Sequence, residues 1–261
     1  MIFATPVSML HFIGVWLSHL GGMTKMALGA FTRIITGRIE VRETLYQVDA
    51  LGVKSLSIAL LTAMFTGMVL ALQFGHTMAR FGAKDYVGNA VSVAILRELG
   101  PVLTTLLVGG RIGSGMTAEL GSMAVTEQID AIKALGADPV TKLVVPRVLA
   151  VCVIMPLLAV FADLVGLVGG MLLAKVEFGI SFHFFVGSIF ESCTLGDFFS
   201  GVGKTLFFGF FIAIIACYMG FTTRGGTEGV GNATTATVVL ASVNTLVADF
   251  FLTKILFIIG V

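Results

Sequence analysis

The sequence predicts an all-α integral membrane protein: an N-terminal amphipathic helix in the membrane interface, five transmembrane helices and a short helix in a cytoplasmic loop. Of 261 residues, 57% are hydrophobic and 12% charged, about half the charged share of a soluble domain. Several uncharged runs are long enough to cross a bilayer. The 32 glycines and 5 prolines suit helices packed closely through small residues better than the alternating strands of an outer-membrane barrel. A net charge of +1 says nothing about an anionic partner, so the positions of the charges carry the information.

Residues 1–50 place Phe12, Ile13, Trp16, Leu17 and Leu20 at helical spacing, then Lys25, Arg33, Arg38 and Arg42. This pattern predicts one or two interfacial helices, with Trp16 at headgroup depth and the basic residues toward anionic lipid. The competing reading is a sixth span near residues 6–32, which His11, His19, Gly21, Gly22 and Lys25 dilute. No Lys or Arg precedes Lys25 and no cleavage site follows, so no cleaved signal peptide is expected.

The first span is placed at 51–76. Its core, Ser55 to Gly75, holds no charge and at about 1.5 Å per residue reaches about 31 Å. The others are placed at 87–120, 142–174, 202–221 and 236–259. Lys and Arg lie nine to three in favour of the side holding the N-terminus and the 121–141 loop, so that side is cytoplasmic and the C-terminus lies outside.

Within that loop, residues 125–136 read as a helix that Thr126 can cap and Gly136 ends, with Asp138-Pro139 making the turn. Ile129, Ala131, Ile132 and Leu135 form an apolar stripe with no lipid to cover it. A stripe of this kind suits a groove in a partner, as in the coupling helices of ABC permeases; packing on its own chain is the alternative.

Charge inside the bilayer is the second signal. Glu98 in the second span, Lys204 near the start of the fourth and Asp249 in the fifth would each cost several kcal/mol unpaired. They are expected to meet, Lys204 between the two carboxylates with Arg97 nearby, unless Lys204 snorkels to water. Gly109, Gly113 and Gly115 are spaced for a close helix contact. GVGKT at residues 201–205 lacks the glycine of a phosphate loop, having Phe198 in its place. The glycine-rich segment TRGGTEGVGNATTATV reads as a flexible turn before a Thr-capped helix. Cys152, Cys193 and Cys217 have no metal or redox spacing and read as packing residues.

The stretch LRELGPVLTTLLVGGRIGSGMTAELGSMAVTEQIDAIKALGADP resembles the signature of the MlaE (YrbE) permease family, the membrane subunits of ABC-type lipid transporters linked to MCE proteins. RGGTEGVG and the ATT that follows extend the likeness toward the last span. The resemblance implies a homodimer joined to two cytoplasmic ATPase subunits, a small STAS-domain protein and a periplasmic MCE hexamer in a bacterial inner membrane. It implies phospholipid as cargo, outer-membrane lipid asymmetry as the outcome and no nucleic acid partner. No cofactor is expected on this chain and no catalysis, ATP and Mg belonging to the ATPase.

Carried onto this sequence, the embedded charges are Arg97, Glu98, Lys204 and Asp249. The ATPase-coupling helix is Thr126, Glu127, Gln128, Ile129, Asp130, Ile132 and Leu135. The lipid pocket is placed on Leu70, Leu72, Gln73, Met78 and Val102. Two other classes compete: an ion-coupled transporter using Glu98 and Asp249 as proton carriers, and an intramembrane enzyme, for which no nucleophile and base stand at helical spacing.

Overall fold

The computed structural model describes residues 6–37 and 39–259, and the side chains of all of these except 6–13, 15 and 16. Arg38 and the side chains of Phe12, Ile13 and Trp16, whose interfacial placement the sequence predicts, therefore lie outside what is described. Among the described residues there are helices and no strands. In chain order they are α1 (Pro6–Ile35), α2 (Val41–Arg80), α3 (Lys84–Val125), α4 (Gln128–Ala134), α5 (Val140–Phe178), α6 (Phe182–Ser192), α7 (Leu195–Thr222) and α8 (Gly226–Ile259). Five of these, α2, α3, α5, α7 and α8, are long and apolar enough to span a membrane. The chain is an all-α multi-pass membrane protein.

The N-terminal region departs from the expected boundary at residue 50. α1 is one helix of 30 residues, and it is not among the five span-like helices. It lies against the bundle rather than apart from it: Ala30 is fully buried, Met23, Met26 and Ala27 pack on the core, and Gly22 meets the Tyr218 ring. Arg33 Nε donates to Asp138 Oδ2 at 2.5 Å. Residues 41–50, read as interfacial, instead run straight into the first span through a π-helical turn at Asp49–Val53.

Each remaining shift has a local cause. α7 starts at Leu195, not 202, because Thr194 and Asp197 form a reciprocal capping box: the Asp197 N–H donates to the Thr194 hydroxyl and the Thr194 N–H to the Asp197 carboxylate, which satisfies otherwise orphaned backbone donors. α8 starts at Gly226, not 236. The expected flexible turn shrinks to residues 223–225, and its last residue, Gly225, and the first of α8, Gly226, take the left-handed backbone (φ +89° and +69°) that glycine tolerates. α6 has no counterpart in the sequence reading, although Ser181 caps it by accepting from the Phe184 N–H.

Two apolar cores are stacked along the bundle. One joins α1, α2, α3, α5 and α7 through Ile112, Met116, Leu120, Val151, Met155 and Ala213. The other joins Ala71, Val87, Val91, Ile95, Ala174 and Phe185 at the end holding α6. Between α2 and α5 the backbones touch: a Cβ on Gly67 would overlap the Gly166 carbonyl, and one on Gly169 the Met64 carbonyl. The expected glycine contact on α3 is shared differently. Gly109 and Gly113 face Ile212 of α7, while Gly115 has nothing within 4 Å. The only free space around that triplet is therefore at Gly115.

Candidate functional site

The expected charge cluster forms. Lys204 Nζ, on a side chain only 3% exposed, donates to Glu98 Oε1 at 2.9 Å, Asp249 Oδ1 at 3.3 Å, Thr253 Oγ1 at 2.6 Å and the Arg97 carbonyl at 3.0 Å. Thr253 in turn donates to Glu98 Oε1 at 3.1 Å. Three helices supply these groups, and two sequence features allow them to meet. Pro101 has no N–H to offer the Arg97 carbonyl four residues back, in a stretch already loosened by a π-helical turn at Ile95–Leu99, so that carbonyl accepts from Lys204. Gly201, one turn before Lys204, has no room for a Cβ against the Leu96 carbonyl, which brings α7 tight against the same turn.

Arg97 does not join this cluster through its side chain. It pairs with the buried Asp197 and lies over the Phe257 ring, 6.0 Å from the centroid. Asp197 and Thr253 are the partners sequence reasoning missed. Both signals were present: Asp197 lies seven residues before Lys204, two turns along one helix face, and Thr253 lies four after Asp249. Glu119 of α3 holds Arg147 of α5 at 2.6 Å.

Glu98 and Asp249 reach the wall of an open hollow of about 530 Å³ that is otherwise lined mainly by Leu246, Phe250, Phe257 and Ile258, with Lys254 at the same wall. This places carboxylate, ammonium and hydrocarbon side by side, a surface able to receive a molecule with apolar tails and a charged head. None of the five residues assigned to a lipid pocket lines this hollow. Leu70 and Met78 pack on the core beside α6, Leu72 and Gln73 are exposed on another face of α2, and Val102 is half-buried on α3. They sit on different faces because helical periodicity separates 70 and 78 from 72 and 73.

The loop helix forms as α4, with two changes to its expected chemistry. Thr126 does not cap it; its hydroxyl donates back to the Ser122 carbonyl at 2.8 Å and accepts from Gln128 Nε2 at 3.0 Å. The cap position belongs to Glu127, which takes φ +59°, the only left-handed non-glycine among the described residues. The apolar stripe also divides. Ile129 is buried and Ile132 half-buried in the chain itself, while Leu135 is 86% exposed beside Glu127, Gln128 and Asp130. Asp130 is held by Lys133 at 2.7 Å.

Gly136 ends α4 as expected, at φ +77°. Asp138 does more than turn the chain. Its carboxylate accepts from the Val140 and Thr141 N–H groups and the Thr141 hydroxyl, at the first turn of α5, while holding Arg33. Burial works against its charge, but the bonds from Thr141 and Arg33 outweigh it and keep the carboxyl below the ordinary aspartate range.

Comparison with known proteins gives the same family the residues suggested. The chain is 39% identical over 247 residues to a probable ABC transporter permease protein of Synechocystis, covering 95% of this chain and 94% of that one. A probable ABC transporter permease protein of Rickettsia typhi is 38% identical over 228 residues, 87% of this chain and 88% of that one. The chloroplast protein TRIGALACTOSYLDIACYLGLYCEROL 1 of Arabidopsis thaliana is 40% identical over 225 residues, 86% of this chain but 64% of that longer protein. The family model described as Permease MlaE matches residues 44–255, which reaches into all five spans and includes the Glu98, Lys204 and Asp249 cluster, and the chain belongs to the MlaE permease family of ABC transporters.

Proposed function

We propose that this chain is the membrane subunit of an ATP-driven transporter that moves phospholipids between a bacterial inner membrane and a periplasmic MCE protein, maintaining outer-membrane lipid asymmetry. The observation that carries the reading is the hollow in which Glu98, Asp249 and Lys254 share a wall with Phe250, Phe257 and Ile258. Hydrocarbon favours acyl chains and the charges favour a headgroup. A relative bearing the name of a galactolipid, trigalactosyldiacylglycerol, supports lipid as cargo.

In this proposal two copies of the chain face each other across α8, whose large side chains, such as Val243, Leu246, Phe250 and Phe251, are exposed along its length. The second copy closes the hollow on its open side. A cytoplasmic ATPase carrying ATP and Mg docks on α4 through Glu127, Gln128, Asp130 and Leu135, with a STAS-domain protein beside it and an MCE hexamer on the outer side. ATP turnover moves α4, and the motion passes through α3 and α5, which the Glu119–Arg147 pair joins, to the cluster at Glu98. The chain itself binds and releases lipid and makes or breaks no covalent bond.

The test is reconstitution of the assembled complex between labelled donor and acceptor membranes. Lipid movement is expected to need ATP and to survive a protonophore. Movement that proceeds without ATP and stops with the protonophore would overturn the proposal in favour of an ion-coupled carrier.

A further inference from the structure

Asp163 stands apart from every pairing described above. It lies inside α5, 1% exposed, and neither carboxylate oxygen has a hydrogen-bond partner. Oδ1 is pressed against Gly100 of α3, where even a Cβ on that glycine would collide with it. The two helices therefore cross at this point with a carboxyl group between them.

No cation faces it. α2 has no ionisable side chain between Lys54 and His76. On α3, Arg97 is taken by Asp197, Glu98 by Lys204, Glu119 by Arg147, and Arg111 donates to the Lys54 carbonyl and the Ser55 hydroxyl. On α7, Asp197 and Lys204 are occupied by the same pairs, and on α8 Asp249 is held by Lys204. Arg33 of α1 is tied to Asp138, and Lys142 of α5 to Glu40, at the far end of the bundle. Among the described residues, the remaining charged groups and histidines of α5 and the elements on it are His19 and Lys25 of α1, Arg42, Glu43, Asp49, Lys54, His76 and Arg80 of α2, Lys84 and Asp85 of α3, Lys175 and Glu177 of α5 itself, and His183 and Glu191 of α6, none bonded to Asp163. An ionised carboxylate left alone in such a place is strongly disfavoured.

Beside the Gly100 contact runs a narrow cleft lined by Thr62 and Thr66 of α2, Thr104 of α3, and Ala162 and Gly166 of α5. It has room for about one water molecule, and its hydroxyls give that water partners. We infer that Asp163 is a proton-binding site inside the membrane, occupied while α3 and α5 are packed at Gly100 and emptied when they part. The ligand is a hydron from the aqueous phase, which adds to one carboxylate oxygen through the threonine-lined cleft; no other bond changes. Proton occupancy would then be linked to the packing of the same α3 segment that carries Glu98. The inference does not depend on what the transporter moves.

The full chain in lipid nanodiscs, labelled with isotopic aspartate, would be examined by infrared spectroscopy at pH 7. The expected result is a carbonyl band of a protonated aspartic acid that is absent in Asp163→Asn. Asp163→Asn, which keeps the shape without the charge, is expected to melt within a few degrees of wild type; should it not fold, Asp163→Leu supplies the same subtraction. Gly100→Val, which forces the helices apart at Oδ1, is expected to weaken the band. A spectrum at pH 7 with no Asp163-dependent acid band would overturn the site, and a band unchanged by Gly100→Val would overturn its link to packing. Neither result depends on ATP or lipid transfer.

Discussion

At the scale of single residues, Lys204 has three protons to give and four acceptors around it: two carboxylates, a hydroxyl and a carbonyl. Removing the cation leaves Glu98 and Asp249 facing each other with only Thr253 between them, and a broken buried pair costs about 3–5 kcal/mol. Lys204→Met is therefore expected to lower the melting temperature of the purified chain sharply. Glu98→Gln should cost less, since Glu98 is 38% exposed and Lys204 keeps Asp249. A double-mutant cycle of Lys204→Met with Asp249→Asn should be non-additive; strict additivity would show that the three groups do not act together. Asp138 gives a prediction that depends on pH. Its carboxyl titrates lower in the fold than free aspartate, so it stabilises above the unfolded value of about 3.9 and that contribution disappears as pH falls through the lower folded value. Asp138→Ala should cost about 1 kcal/mol at pH 7 through the lost helix cap. The gap between mutant and wild-type melting should close in acid, below about pH 4.

At the scale of elements, the glycines divide by what lies opposite them. Gly67 abuts the Gly166 carbonyl, backbone that cannot turn aside, while Gly115 has open space. Gly67→Ala is expected to destabilise by about 1–3 kcal/mol through overpacking. Gly115→Ala should be neutral or stabilising by up to about 1 kcal/mol, because alanine is the better helix former. Paired thermal melts check both; equal effects would contradict this arrangement of helices. The five spans were legible because a long uncharged run has one physical solution in lipid, a helix. Their ends were less so. The capping box at Thr194 and Asp197 was visible in the sequence but lay outside the hydrophobic run, and glycines 229 and 231, which read as a turn, fall inside the helix α8. The tightest crossing, α2 on α5, escaped notice because Gly67 and Gly166 carry no sign of each other along the chain.

At the scale of the whole molecule, the embedded cluster was legible because charge in hydrocarbon demands a partner and few candidates existed. The coupling stripe was legible only in part: periodicity shows which residues share a face, not whether that face meets a partner or, as Ile129 does, its own chain. The lipid-pocket residues had no such constraint, since an apolar side chain in a span satisfies itself equally against lipid, core or cargo. The bundle has two distinct ends. One gathers Arg33, Asp138, Glu40 and Lys142 with α4, and the Thr223 turn joins it through Gly121. The other holds the α2–α3 turn and α6, which meet where Gly88 touches Ser188. Lys and Arg favour the first end nine to three, so that end should face the cytoplasm. With Cys152, Cys193 and Cys217 replaced by alanine, Leu135→Cys marks one end and Phe81→Cys the other, at 86% and 81% exposure in the parent residues. A membrane-impermeant maleimide should label position 81 in right-side-out spheroplasts and position 135 only in inverted vesicles. The reverse pattern would move α4 away from any cytoplasmic ATPase, because a single span, α3, lies between the two positions and sets them on opposite sides.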